Sequence, residues 1–200
     1  MVLCLALQRK TNLAQSMLPS AKACDSSLWI PVIKRIDQSL NGASSQVVEK
    51  ASQLTLQIIE EVDDFSKMSK RQAQAVKRQR AQSLARVGQL AESISAFQTL
   101  VKQDIRDLDL RIAYATVLQS SGKKEHKQAA LEQWRTISQG IPKGSDTWFQ
   151  AKYAVARCLF ELDQKKKAAD VIRLTSTLHP QLGGPALKSK FVTLLGKCTE

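Results

Sequence analysis

The chain has 200 residues, 43% hydrophobic and 5% aromatic, with eight glycines and five prolines. This suits one ordinary domain or a short array of repeats, and a mix rich in Ala, Leu, Gln, Lys and Ser favours helix and argues against a sheet protein. The formal charge of +12 is uneven: residues 1–64 carry six basic and seven acidic side chains, residues 65–200 carry 24 and 11, so the later part calls for acidic partners, nucleic acid among them.

Met1–Leu7 is apolar but short, with no basic residue before it and no small-residue cleavage site after it, so neither a signal peptide nor a membrane span is expected. That start is also unlike an ordinary N-terminus and suggests the tail of a longer protein. Met1–Asp25 is weakly patterned and expected to be partly disordered. Leu28, Val32, Ile33, Ile36 and Leu40 follow helical spacing, with Ser27 as N-cap, Pro31 in the first turn and Asn41-Gly42 as a stop. A second helix is expected from about Ser44 to Asp64, where Val47, Ala51, Leu54, Ile58 and Val62 step by three or four; its acidic end, Glu60–Asp64, reads as a solvated helix end.

A basic helix follows, from Lys67 to about Gly88, with Lys67, Lys70, Arg71, Lys77, Arg78, Arg80 and Arg86 and no acid between Ser66 and Ala91. From here a repeat takes over. Ser93, Phe97 and Leu100 are matched by Ala130, Trp134 and Ile137 and by Ala168, Ile172 and Thr175, at steps of 37 and 38 residues. In the preceding helices Ala81 and Leu84 are matched by Ala115 and Leu118 and by Ala156 and Leu159, at steps of 34 and 41. The uneven steps place three extra residues in the turn Gly122–Lys127 and four in the loop Gly140–Asp146, which leaves the helix interiors in register. A lone hairpin such as Tyr153–Pro180 cannot bury both of its apolar faces, so its neighbours must stack on it. After Pro180, Leu182-Gly183-Gly184-Pro185 restarts the chain into a last helix with Leu187, Phe191, Leu194 and Leu195 on one face and Lys188, Lys190 and Lys197 outward, a terminal cap.

Chemistry-bearing motifs are sparse. His126 and His179 lack any nearby metal or triad pattern, and Gly183-Gly184 lacks the Lys-Ser/Thr of a phosphate loop. Cys4, Cys24, Cys158 and Cys198 share no close spacing, so a reducing, cytoplasmic setting without disulfides or zinc is expected, and no cofactor. Trp134 sits in the repeat's aromatic slot and reads as core, Trp148 as a staple onto the preceding repeat, and Trp29 as packing among the N-terminal helices.

The repeated pattern resembles the tetratricopeptide repeat, with a small and a large residue in the first helix, then Ala-x3-aromatic, then Pro. Tyr114, Ala115, Leu118, Gly122, Ala130, Trp134 and Pro142 carry it in one unit. Ala156, Leu159, Ala168 and Pro180 carry it in the next, with Ile172 in the aromatic slot and Asp163 in place of the turn Gly. Gly88 and Phe97 carry it in the earliest unit, Gln74–Ile105, with Ser93 for Ala and Ile105 for Pro. The combination Trp148, Lys152-Tyr153, His179-Pro180 and Gly183-Gly184 also resembles C-terminal repeat regions of large bacterial repeat proteins. The resemblance implies an all-α, right-handed helical-hairpin solenoid of about three repeats over 67–180, an N-terminal helical region over 1–66 and a capping helix over 181–200. It implies a non-catalytic, cytoplasmic scaffold whose inner helices line a groove for a protein or peptide segment, an acidic one given the charge. Groove positions would fall at Arg78, Gln82, Arg86, Ile112, Thr116, Gln119, Tyr153, Arg157 and Phe160, with Arg78, Arg86 and Arg157 suited to forked hydrogen bonds to a carboxylate. The Asn-and-Lys carboxylate clamp of some family members is absent. Two other readings stay open: a nucleic-acid-associated protein binding through the basic helix 67–86, and the accessory C-terminal region of a larger enzyme.

Overall fold

A computed structural model describes residues 29–40, 42–61 and 68–199, with side chains from Ile30 and except that of Glu61. The described residues form nine α-helices and no strand: α1 Trp29–Gln38, α2 Ser45–Glu61, α3 Lys70–Arg86, α4 Leu90–Gln103, α5 Leu108–Ser120, α6 Lys124–Gly140, α7 Asp146–Glu161, α8 Lys165–Leu178 and α9 Pro185–Thr199. They fall into two compact units, residues 1–103 and 104–200.

In the first unit α2 packs on α1 and α3, and α3 packs on α4. Ile33, Ile36 and Leu40 meet Ala51, Leu54, Ile58, Ile59 and Val76 in one buried cluster. The stripe expected for α2 is present, but Ser52, Thr55 and Ile59 are buried beside it, because α2 is covered from two sides. Thr55 tolerates this by donating its hydroxyl to the Ala51 carbonyl at 2.9 Å. Helix α3 starts at Lys70 because Ser69 and Gln72 form a reciprocal capping box. The positions Ser27, Asn41, Val62 and Lys67, the side chain of Trp29 and the expected disorder of 1–25 lie outside the described residues.

In the second unit the helices pack pairwise in order, and α9 also reaches α7. Asp107 and Ser145 cap α5 and α7 with side-chain oxygens that accept the Leu110 and Trp148 amide N–H groups. Pro185 opens α9, where its missing N–H costs nothing. Ala156, Ile172, Leu182, Phe191 and Leu194 form the buried cluster that holds α9 in place.

The repeat register is met residue by residue. Ala81, Ser93, Ala115, Ala130, Ala156 and Ala168 are all 0% exposed, as a helix crossing requires where backbones approach closely. Ser93 stands where Ala is expected and is accommodated because its hydroxyl donates to the Ala81 carbonyl at 2.7 Å. Each hairpin turn has three residues, the middle one left-handed: Gly88, Gly122 and Asp163, with φ of 84°, 74° and 60°. Asp is among the few non-glycine residues that adopt this conformation at modest cost.

The expected location of the inserted residues is corrected. Every first helix ends five residues after its buried alanine, and every second helix ends ten after its buried small residue. The turn at 121–123 is therefore no longer than the others, and the three added residues extend α6 backward from Ala130. Of the four added between the next repeats, one lengthens the loop 141–145 and three extend the start of α7. An extension of about one helical turn at an N-terminus leaves everything after it in register, so helix absorbs it as readily as loop.

Trp134 is buried as expected. Trp148 also staples forward: its ring lies edge-on to His179 beyond α8, with centroids 5.1 Å apart, and His179 and Trp148 both meet Phe149. Lys152 holds its ammonium 5.3 Å from the Trp148 ring centroid, and burial, with the neighbouring charge of Lys143, lowers its pKa. Trp148, Lys152, His179 and Gly183 thus converge on one packed knot. Among the described residues no helix is long and apolar enough to cross a membrane.

Candidate functional site

The expected groove residues divide between the two units. In the first, Arg78, Gln82 and Arg86 lie on one face of α3, which Arg71 and Gln74 extend toward its N-terminus, so that the five follow at steps of three, four, four and four. Arg71 and Arg86 are exposed, whereas Gln74, Arg78 and Gln82 are half-buried. Arg86 pairs with Asp37 of α1 at 2.5 Å, and Gln79 donates to the same carboxylate oxygen at 3.0 Å. With both charged side chains 31% exposed, the pair contributes at most about 1 kcal/mol.

In the second unit Gln119 is 8% exposed, which makes it a wall residue of the helix packing more than a groove residue. Among the described residues its buried Nε2 has no hydrogen-bond partner. Because an unpaired buried donor costs about 1–3 kcal/mol, Gln119→Met is expected to raise the melting temperature by several degrees in a thermal scan; a lower melting temperature would show that the amide is needed. Phe160 packs against the α9 cluster and Tyr153 packs edge-on against Phe191, with centroids 5.3 Å apart. The Nε of Arg157 bonds Glu161 at 2.7 Å, and Lys127 reaches the other oxygen of Glu161 at 4.0 Å.

Tyr153 opens onto a cleft of about 180 Å³ between α7 and α9, lined also by Ser189, Lys190, Thr193, Leu194 and Lys197. Lys190 and Lys197 stand two helical turns apart on α9, both exposed, so two ammonium groups frame an apolar floor of Tyr153 and Leu194. Two hydroxyls complete the lining, and among the described residues no carboxylate belongs to it. Reading α9 only as a cap, with its lysines turned to solvent, missed this cleft. The available signal was the seven-residue spacing of Lys190 and Lys197 flanking Phe191 and Leu194, the residues that dock α9. A wider depression of about 320 Å³ in the first unit, lined by Gln53, Leu56, Gln57, Val87 and Gln89, carries no charge.

No family model and no curated protein matches the chain. Among solved structures, one titled "MamA MSR-1 C2" superimposes with a TM-score of 0.50 at 12% identity, covering 81% of this chain and 98% of its own. At that identity the likeness speaks for the fold, and it bears out the all-α, tetratricopeptide-like helical-hairpin architecture.

Proposed function

We propose that the protein is a non-catalytic scaffold that holds an acidic protein segment, with the α7–α9 cleft as the seat in the second unit. The lining of that cleft carries this reading. Tyr153 and Leu194 offer an apolar anchor point, while Lys190 and Lys197, with Ser189 and Thr193, offer charge-assisted and neutral hydrogen bonds to carboxylates. Peptide recognition needs both, because buried anchors supply most of the affinity and complementary charge supplies orientation and rate. Arg157, one turn beyond Tyr153, is a further partner-binding residue in this reading, and the α3 face with Arg78, Gln82 and Arg86 is a second basic surface. The free thiols of Cys158 and Cys198 fit a reducing, cytoplasmic setting.

The test is fluorescence anisotropy with a labelled twelve-residue peptide of Glu and Asp around one central Leu, bound to the full chain. Lys190→Ala/Lys197→Ala is expected to weaken binding at least tenfold, as is Tyr153→Ala, with the far-ultraviolet spectrum unchanged. Wild-type affinity in both variants would remove the cleft from the reading.

A further inference from the structure

The α3 face in the first unit differs in kind from the α7–α9 cleft, and we infer that it is a nucleic-acid-binding surface that contacts the phosphodiester backbone. Arg71, Gln74, Arg78, Gln82 and Arg86 follow one another along a single side of the helix, a stripe of about 22 Å at 1.5 Å per residue. At the axial phosphate spacing of one duplex strand, that length runs past about six phosphates. Helix α3 carries six cations and no acid, and the three helices packed on it carry Lys34, Arg35, Lys50 and Lys102 against Asp37, Glu49, Glu60, Glu61 and Glu92, so the four helices together keep five positive charges in excess.

The choice of nucleic acid over an acidic protein rests on what the stripe lacks. From Arg71 to Arg86 its side chains are guanidinium and amide groups, and its apolar neighbours on that side are two methyls, of exposed Ala75 and half-buried Ala85; Val76, Ala81 and Leu84 are buried. A protein partner draws its affinity from large apolar or aromatic anchors seated in pockets, and this face has none to offer. A polyphosphate needs no anchor, since affinity comes from counterions released as phosphates are neutralised, and Arg and Gln are both regular donors to phosphate oxygens. The forked guanidinium suits this better than lysine would.

Asp37 adds a consequence. It is the acid that faces the stripe from α1, and it already holds Arg86 and Gln79. A phosphate approaching that end must displace Asp37 or share Arg86 with it. Asp37 is therefore an internal competitor that weakens binding in the resting chain.

The experiment is anisotropy of a labelled 20-base-pair DNA of arbitrary sequence with the full chain, titrated from 50 to 200 mM KCl. About three neutralised phosphates predict a log–log slope of about −2.7 and a loss of about 40-fold across that range. Arg71→Gln/Arg86→Gln should make the slope shallower by nearly two and weaken binding at 50 mM at least tenfold. Gln matches Arg closely in helix propensity, so the fold is kept. Asp37→Asn should tighten binding three- to tenfold, whereas Lys190→Ala/Lys197→Ala should leave it unchanged, which separates this surface from the peptide cleft. The inference is overturned by absence of binding at 50 mM KCl, by an unchanged slope in the arginine variant, or by loss of binding in the lysine variant. It is overturned equally if Asp37→Asn has no effect, or if the arginine variant loses a polyglutamate ligand and keeps the DNA.

Discussion

Gly183→Ala is expected to lower the unfolding free energy by about 2–4 kcal/mol, which for a chain of this size means a fall of roughly 5–15 °C in melting temperature. Two penalties add. Gly183 has φ of 77°, where an L side chain costs about 1 kcal/mol or more. A Cβ placed there would stand 2.9 Å from Cβ of Phe149 and 3.0 Å from two of its ring carbons. Phe149 cannot yield cheaply, because its ring is buried and held edge-on between Trp148 and His179. Overpacking of this sort costs about 1–3 kcal/mol. Gly184→Ala is the matched control: its φ is 99°, but a Cβ there meets nothing within 4 Å. The difference between the two variants therefore isolates the contact with Phe149. Equal losses in urea titrations would mean that backbone conformation alone fixes glycine at this turn.

The second large effect is alkaline. The Cys158 thiol is pushed up to about 12, first by burial and then by the charge of Glu161, against smaller opposing effects of Arg157 and Lys127. In the unfolded chain a cysteine releases its proton near the ordinary value of about 8.5–9. Above that pH the unfolded state holds fewer protons than the folded state, so stability falls with rising pH, by about 1.4 kcal/mol per unit until the folded thiol itself titrates. Between pH 8.5 and 10.5 the wild-type chain should lose about 2 kcal/mol more than Cys158→Ala, measured by urea unfolding at each pH. Lysines and tyrosines titrate identically in both proteins and cancel in the comparison. The variant's own packing loss is independent of pH and shifts its curve without changing its slope. Parallel slopes would show that the thiol is reached by solvent.

Much of this architecture is legible in the residues. The six small residues that mark the helix crossings, from Ala81 to Ala168, are identifiable by spacing because close backbone approach is a local steric demand that few side chains satisfy. Gly88, Gly122 and Asp163 are legible as turns for the same reason, since a left-handed residue admits few types. The candidate site is less legible. Tyr153 and Arg157 are legible as neighbours on one helix, but Lys190 and Lys197 read as a solvated face, because a cleft is a property of two helices and appears in neither one alone.

The helical class, the hairpin register and the basic bias of the later part follow from local chemistry, because propensity, periodicity and charge are carried by individual residues and their near neighbours. Long-range packing set the rest. It placed the inserted residues inside α6 and α7, where one added turn costs no register. It brought Trp148 onto His179, and it gave Arg86 to Asp37, 49 positions earlier in the chain. It also made the helix closing the second unit one wall of a cleft. Each of these depends on which faces of distant helices meet, and that is set by the summed burial of the whole unit.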